Sequence, residues 1–317
     1  MSEIQSVDVP PVLLPVFFGA FGLCIGSFLN VCIHRYPYEE QTISKPVRSQ
    51  CPSCGYELTW KDNLPVLSWL LLRGRCRQCG WRIPWRYPLV ELLTAALWAL
   101  AAWVAPFGEA PAAVAWGLAL VWILVLSALV VATFVDFAHF EIPDQVSIGG
   151  MLVAPLLSFA VPALHADTAL AATFAEGEVD RIAAALASLV GIATGSGVLY
   201  AIGFLGTKLF RKDAMGFGDV KLLGAGGGFV GPGGALVALL IASLVGSVAG
   251  VANMLRWFLF LRARVRRRGS RRSVASSLRV ARIQGRYLPF GPYLGIGIGI
   301  VLLGWNHVIE LWNGLLY

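Results

Sequence analysis

Charge is scarce in this chain. Asp, Glu, Lys and Arg make up 14% of its 317 residues against 57% hydrophobic residues, and the mean hydropathy is +0.71. That balance excludes a soluble globule whose polar surface encloses one apolar core. Several chemical signatures are also missing. There is no GxSxG elbow, no HExxH helix and no phosphate-binding glycine loop, so these three frameworks do not compete for the site. No GxGxxG follows a strand, so no Rossmann-type cofactor site can be read. The first apolar run is preceded by Glu3 and Asp8 with no Lys or Arg, and no small-residue cleavage pattern follows it. It reads as a retained helix and not as a signal peptide.

What is present is a series of apolar runs near 12–34, 87–105, 112–135, 146–164, 182–207, 233–255 and 289–312. Each approaches the roughly 20 residues that cross a hydrocarbon layer about 30 Å thick. A further run near 220–230 is short. Basic residues set the orientation, because Lys and Arg in short loops are retained in the cytoplasm. Nine lie in 35–88, four in 207–221, eleven in 256–286 and one at Arg181, which accounts for all 25. Residues 222–255 as one helix would measure about 51 Å at 1.5 Å per residue, too long for one crossing. They would also put the eleven arginines outside. Gly231-Pro232-Gly233-Gly234 supplies a turn instead. The expectation is an all-α polytopic membrane protein of about eight transmembrane helices with both termini outside. The glycine-rich helix after Asp219 is then short, and such segments persist where protein buries them or where they line a wet cavity.

Segment 35–88 is the sizeable polar region before the second crossing. It contains Cys51-Pro-Ser-Cys54, then 21 residues, then Cys76-Arg-Gln-Cys79. Two CxxC pairs at that separation fit tetrahedral zinc. Gly55 and Gly80 follow the pairs directly, as tight knuckle turns need. Basic flanks place the segment in a reducing compartment, which argues against two disulfides. Four thiolates leave no open position, so the metal is structural, and a domain too small for a large core gains stability from it. Trp60 and Trp69 suit a membrane interface. In the first helix Gly22, Gly26 and Ser27 suit close packing, and Cys24 and Cys32 read as small apolar residues. His34 reads as an interfacial side chain.

The acids are few enough to sort one by one. Glu91, about one turn into the second crossing, suits a helix N-terminus. Asp144 follows Pro143 and precedes an apolar run, so it reads as an N-cap. Asp136 closes an apolar helix at its C-terminal end, where the helix dipole disfavours a negative charge, and no capping role explains it. Asp219 stands in Met215-Gly216-Phe217-Gly218-Asp219-Val220-Lys221, at the point where a charged loop meets an apolar run. The heptapeptide alone leaves capping and catalysis open. Topology adds that Asp136 and Asp219 share one face of the membrane at similar depth. Two close carboxylates can share a proton, so that one activates water while the other protonates a tetrahedral intermediate. Gly216 and Gly218 permit close backbone approach to a peptide, and Lys221 can bias the pair or hold an anion. The acidic outer loop 165–181 reads as a solvated connector. The arginine-rich segment 256–286 suits anionic headgroups better than nucleic acid.

Taken in order, Gly26-Ser-Phe-Leu-Asn30 with Arg35 and Pro37, the four cysteines, Asn63-Leu-Pro-Val-Leu-Ser68-Trp69, Trp85-Arg-Tyr-Pro-Leu-Val-Glu91, Asp136 before Pro143-Asp144, and Gly216-Phe-Gly-Asp219-Val-Lys221 cover most of the chain. The set resembles the bacterial type IV prepilin peptidases of the GxGD aspartic membrane proteases. The resemblance implies an inner-membrane enzyme that cuts a basic leader from prepilins or pseudopilins after a glycine, at the cytoplasmic face. It further implies N-methylation of the new terminus with S-adenosylmethionine. On it, Asp136 and Asp219 are the catalytic pair and Cys51, Cys54, Cys76 and Cys79 the zinc ligands. The methyl-transfer site falls within 26–91, with Glu91 a candidate. The implied division is helix one to residue 34, a zinc domain over 35–88 and a peptidase domain over 89–317. The acids Asp136, Glu141, Asp144, Glu39 and Glu40 are placed to receive a basic leader. The rival reading is a transporter or proton channel whose boundary acids relay ions. Both acids on one face and the lack of an inverted repeat speak against it.

Overall fold

The computed structural model describes residues 12–36, 48–166, 180–211, 215–267 and 288–316. Among these the chain is helical, with isolated β-bridges and no strand. Helix α1 runs Leu13–Arg35, a short α2 runs Leu67–Leu71, and α3 (Arg86–Val104), α4 (Ala112–His139), α5 (Asp144–Ala160) and α6 (Arg181–Phe210) follow. Then come α7 (Phe217–Arg267) and α8 (Gly291–Leu316). Large apolar side chains such as Leu152, Leu156, Leu244 and Val248 point outward, as they do when the surrounding solvent is lipid. By length and composition α1, α3, α4, α6 and α7 can each cross a membrane, and α5 and residues 291–305 are shorter apolar helices.

The predicted turn is present. Gly231 in α7 has φ 74 and ψ 176, which divides the helix into an arm α7a over 217–230 and an arm α7b over 232–267. A Cβ added to Gly227 would lie 3.2 Å from the Cβ of Ala235, eight residues on, so the chain doubles back. With α7 counted as two arms, the apolar helices number eight among the described residues, α2 aside. The bend has a local cause and a local remedy. Pro232 has no N–H for the carbonyl of Gly228, four residues earlier. Buried His165 pairs through Nε2 with Ser158 Oγ at 3.0 Å, and its ring interacts electrostatically with the backbone of Gly228.

Arm α7a is buried from Leu222 onward and packs on its neighbours through bare backbone. A Cβ on Gly191 of α6 would lie 2.1 Å from the carbonyl oxygen of Gly227, and one on Gly195 would lie 2.5 Å from that of Leu223. Small residues here allow contact that no side chain would permit. The same device joins α1 to α3, where a Cβ on Gly22 or Gly26 would meet the Cα of Ala95 or Glu91 at 2.9 or 2.6 Å. Gly297 of α8 touches the Ala238 carbonyl of α7b in the same way. Arm α7b extends as helix to Arg267, beyond the predicted end of its crossing at 255, so part of the arginine-rich segment continues a transmembrane helix. The remainder, 268–286, lies outside the described residues, as do 167–179 of the acidic loop and Glu39 and Glu40.

Candidate active site and metal centre

The end of α1, the starts of α3, α5, α7 and α8, and the end of α4 gather at one end of the bundle. Helix α4 stops where Phe140 adopts the left-handed conformation (φ 58) and donates its N–H to the Asp136 carbonyl. That places Asp136 one turn inside the helix, 5% exposed. Gly291, first residue of α8, donates its N–H to Asp136 Oδ2 at 2.9 Å. A Cβ there would come within 2.5 Å of the same oxygen, so only glycine leaves room for the bond. Asp219 is the third residue of α7, in its first turn, and interacts electrostatically with Asp136. Both line a cavity of about 500 Å³, with Tyr36, Glu141, Asp144 and Lys221 around them. Gly216 and Gly218 border it too, the latter against Ile142.

Two readings change here. Pro143 occupies the N-cap position of α5, and Asp144 is the first helical residue with no capping bond; it pairs instead with Lys221 across the cavity mouth. A local cap rule cannot see a partner 77 residues away. Lys221 therefore neutralises Asp144 in this conformation. Trp69 is the second correction. Its Nε1 donates to the Ile83 carbonyl at 3.2 Å and its ring sits against Gly74, so it knits the small domain together, while Trp60 is 72% exposed.

The four cysteines converge as their spacing predicts. One Sγ from each of Cys51, Cys54, Cys76 and Cys79 lies within 4.8 Å of the others. The Cys51 and Cys79 sulfurs are 3.8 Å apart. A tetrahedron with metal–sulfur bonds of about 2.3 Å needs edges of about 3.8 Å. The two halves are built alike. Cys51 N–H bonds the Tyr56 carbonyl and Gly55 N–H returns to Cys51, while Cys76 N–H bonds Trp81 and Gly80 N–H returns to Cys76. Gly55 and Gly80 carry φ of +72 and +71, the left-handed turns expected of them. Beside this knuckle pair, Asp62 is buried. Burial opposes its charge, yet bonds from the Thr59 hydroxyl, Arg77, the Thr59 N–H and the Tyr56 hydroxyl prevail and hold its pKa at about 2.

A second cavity of about 520 Å³ separates the metal domain from α1 and α3. Asn30, Arg35, Trp69 and Glu91 are among its walls. Glu91 is buried and accepts the Val66 N–H at 2.7 Å, so it does more than favour a helix start. Val66 has φ 59 and ψ −47, an outlier for a β-branched residue.

Residues 20–105 match the Bacterial Peptidase A24 N-terminal domain, and residues 123–251 match the Type IV leader peptidase family. A prepilin leader peptidase/N-methyltransferase of Aeromonas hydrophila is 34% identical over 92% of this chain and 91% of its own length. The chain belongs to the type IV leader peptidase family. A protein of the same description from Myxococcus xanthus is 39% identical over 77% of this chain, which spans 64% of that relative's length. A type 4 prepilin-like proteins leader peptide-processing enzyme of Escherichia coli is 33% identical over 76% of the chain and 86% of its own length. No solved structure matches. The family is one of peptidases, which leaves the transporter reading without support.

Sequence reasoning missed Gly291, although Pro289-Phe-Gly-Pro292 marks a constrained turn there. It also gave no role to Asn30 or Val66.

Proposed function

We propose that this chain is a membrane aspartic endopeptidase that removes the basic leader of type IV prepilins or pseudopilins after a glycine and then N-methylates the new terminus. The observation that carries the reading is the convergence of Asp136 and Asp219 in one cavity, from helix ends 83 residues apart in sequence. One carboxylate takes a proton from water as its oxygen attacks the scissile carbonyl carbon. The other, protonated, donates to the carbonyl oxygen, and the departing amine leaves with a proton. The Gly291 N–H holds the Asp136 carboxylate in place. Gly216 and Gly218 leave space for the substrate backbone. Glu141 and Asp144 at the mouth suit a cationic leader, with Lys221 exchanged for a leader cation.

Cys51, Cys54, Cys76 and Cys79 would hold zinc, which supplies rigidity and no open coordination position. The second cavity is of the size that binds small molecules, about 300–1,000 Å³. Its mixed polar and aromatic walls, Ser27, Asn63, Trp69 and Tyr87 among them, fit S-adenosylmethionine, which brings an electrophilic methyl group. The retention of Lys and Arg in cytoplasmic loops supports a reading in which the metal domain and both aspartates lie on the cytoplasmic side of the bacterial inner membrane, with the termini outside. Exposed Trp60, Leu70, Leu71 and Trp85 suit contact with the membrane surface, and the arginines suit anionic lipid rather than nucleic acid. The test is incubation of purified protein with a prepilin peptide and methyl-labelled S-adenosylmethionine. Cleavage followed by label on the new terminus is expected; label without cleavage, or neither, contradicts the reading.

A further inference from the structure

The second cavity contains an acceptor that has no donor. Asn30 is 5% exposed and lines the cavity. Its Nδ2 donates to the Tyr87 carbonyl at 3.0 Å, which fixes the orientation of the amide. Oδ1 is left buried without a hydrogen-bond partner among the described residues. Buried acceptors are almost always paired, so an orphan on a cavity wall points to a ligand that carries a donor. The close crossing at Gly26 sets α1 against Glu91 of α3, and Ser27, Asn30 and Glu91 are all among the residues that line the cavity. Glu91 adds a carboxylate, with one oxygen on the Val66 N–H and a bond to the Ser27 side chain. The cations on the cavity walls are engaged: Arg77 pairs with Asp62 at 2.8 Å, and His34 and Arg35 each make interactions of their own.

A buried amide oxygen beside a carboxylate is complementary to a group that is all donor and positively charged. We propose that Asn30 Oδ1 and the Glu91 carboxylate seat a primary ammonium group, the α-amino terminus of the trimmed pilin. This rests on the leader-peptidase and methyltransferase reading above. The amino-acid end of S-adenosylmethionine also carries an ammonium, but it brings a carboxylate with it, which Glu91 repels. A peptide terminus brings the ammonium alone. The route is short as well. Arg35 lines this cavity and the adjacent Tyr36 lines the aspartate cavity, so a terminus freed at one site reaches the other around the end of one helix.

The test is calorimetric titration of the full-length protein in detergent with a peptide that begins at the mature terminus, free or N-acetylated. The free amine is expected to bind at least about tenfold more tightly, roughly what one hydrogen bond to a charged group is worth. Asn30→Leu removes that difference, whereas Asn30→Asp, which keeps an acceptor, retains it. Equal affinity of the unsubstituted protein for both peptides overturns the seat without recourse to any variant. A parallel titration compares S-adenosylhomocysteine with its deaminated analogue. If the amine matters there and not on the peptide, the seat belongs to the methyl donor and the proposal fails. Leader cleavage by the same preparation separates the two levels: no cleavage removes the underlying reading, and cleavage without amine preference removes only the seat.

Discussion

Two cavities of nearly equal volume, about 500 and 520 Å³, flank the end of α1, and they are built by opposite means. The aspartate cavity is walled by helix ends that glycine contacts lock together, with α6 on α7a and α8 on α7b at separations that admit no Cβ. The second cavity is walled partly by a small domain with little buried apolar surface among the described residues, marked by four converging cysteines, one buried Asp62 network and a strained Val66. On the proposed function, fixed backbone sets the distance between the two acids, and a clamped loop closes one side of the cavity that admits a small molecule and a peptide end. The two functions are then expected to separate by mutation.

The largest expected effect breaks the first cavity. Asp136→Asn and Asp219→Asn each lower leader cleavage by about 10²–10⁴-fold, the range of acid–base catalysis, while methylation of a pre-trimmed peptide persists. Peptide mass spectrometry reads both. Next, Cys51→Ser or Cys76→Ser releases the metal and abolishes methyl transfer but spares cleavage, measured by metal analysis beside the two assays. Loss of both activities together would erase the contrast between the cavities. Gly291→Ala pushes the Asp136 carboxylate aside and lowers kcat for cleavage by about 10²-fold, as a misplacement of about 1 Å can. The smallest effect concerns pH. Because the folded domain holds the Asp62 pKa near 2, below its ordinary value of 3.8, its contribution to stability is fully present above about pH 4. It is lost as pH falls toward 2. The melting temperature of Asp62→Asn should thus lie below that of the unsubstituted protein at neutral pH and converge on it in acid.

How much of this was legible depended on the range of each signal. Cysteine spacing and the glycines behind it are local, and the knuckles were read in full. The hairpin at Gly231 followed from length and charge counting, since neither one long crossing nor outward arginines was acceptable. Asp136 stood out because an acid at an apolar helix end has no ordinary explanation. Partners far along the chain were hidden. Asp144 resembled a cap until Lys221 was seen beside it. Gly291, which touches Asp136 from 155 residues away, gave only the sign of a constrained turn. Asn30 entered only as the end of the Gly26-Ser-Phe-Leu-Asn30 stretch; that its Oδ1 is left over depends on Tyr87, 57 residues away, turning the amide.

The most direct measurement is a cleavage time course on one prepilin peptide with the unsubstituted protein, Asp136→Asn and Asp219→Asn at equal metal content. A shared site predicts that the unsubstituted protein cuts once after the leader glycine and that both variants fall to the background of the peptide alone. Retained cleavage in either variant, with metal and helix content intact, would show that the two carboxylates do not act as a pair.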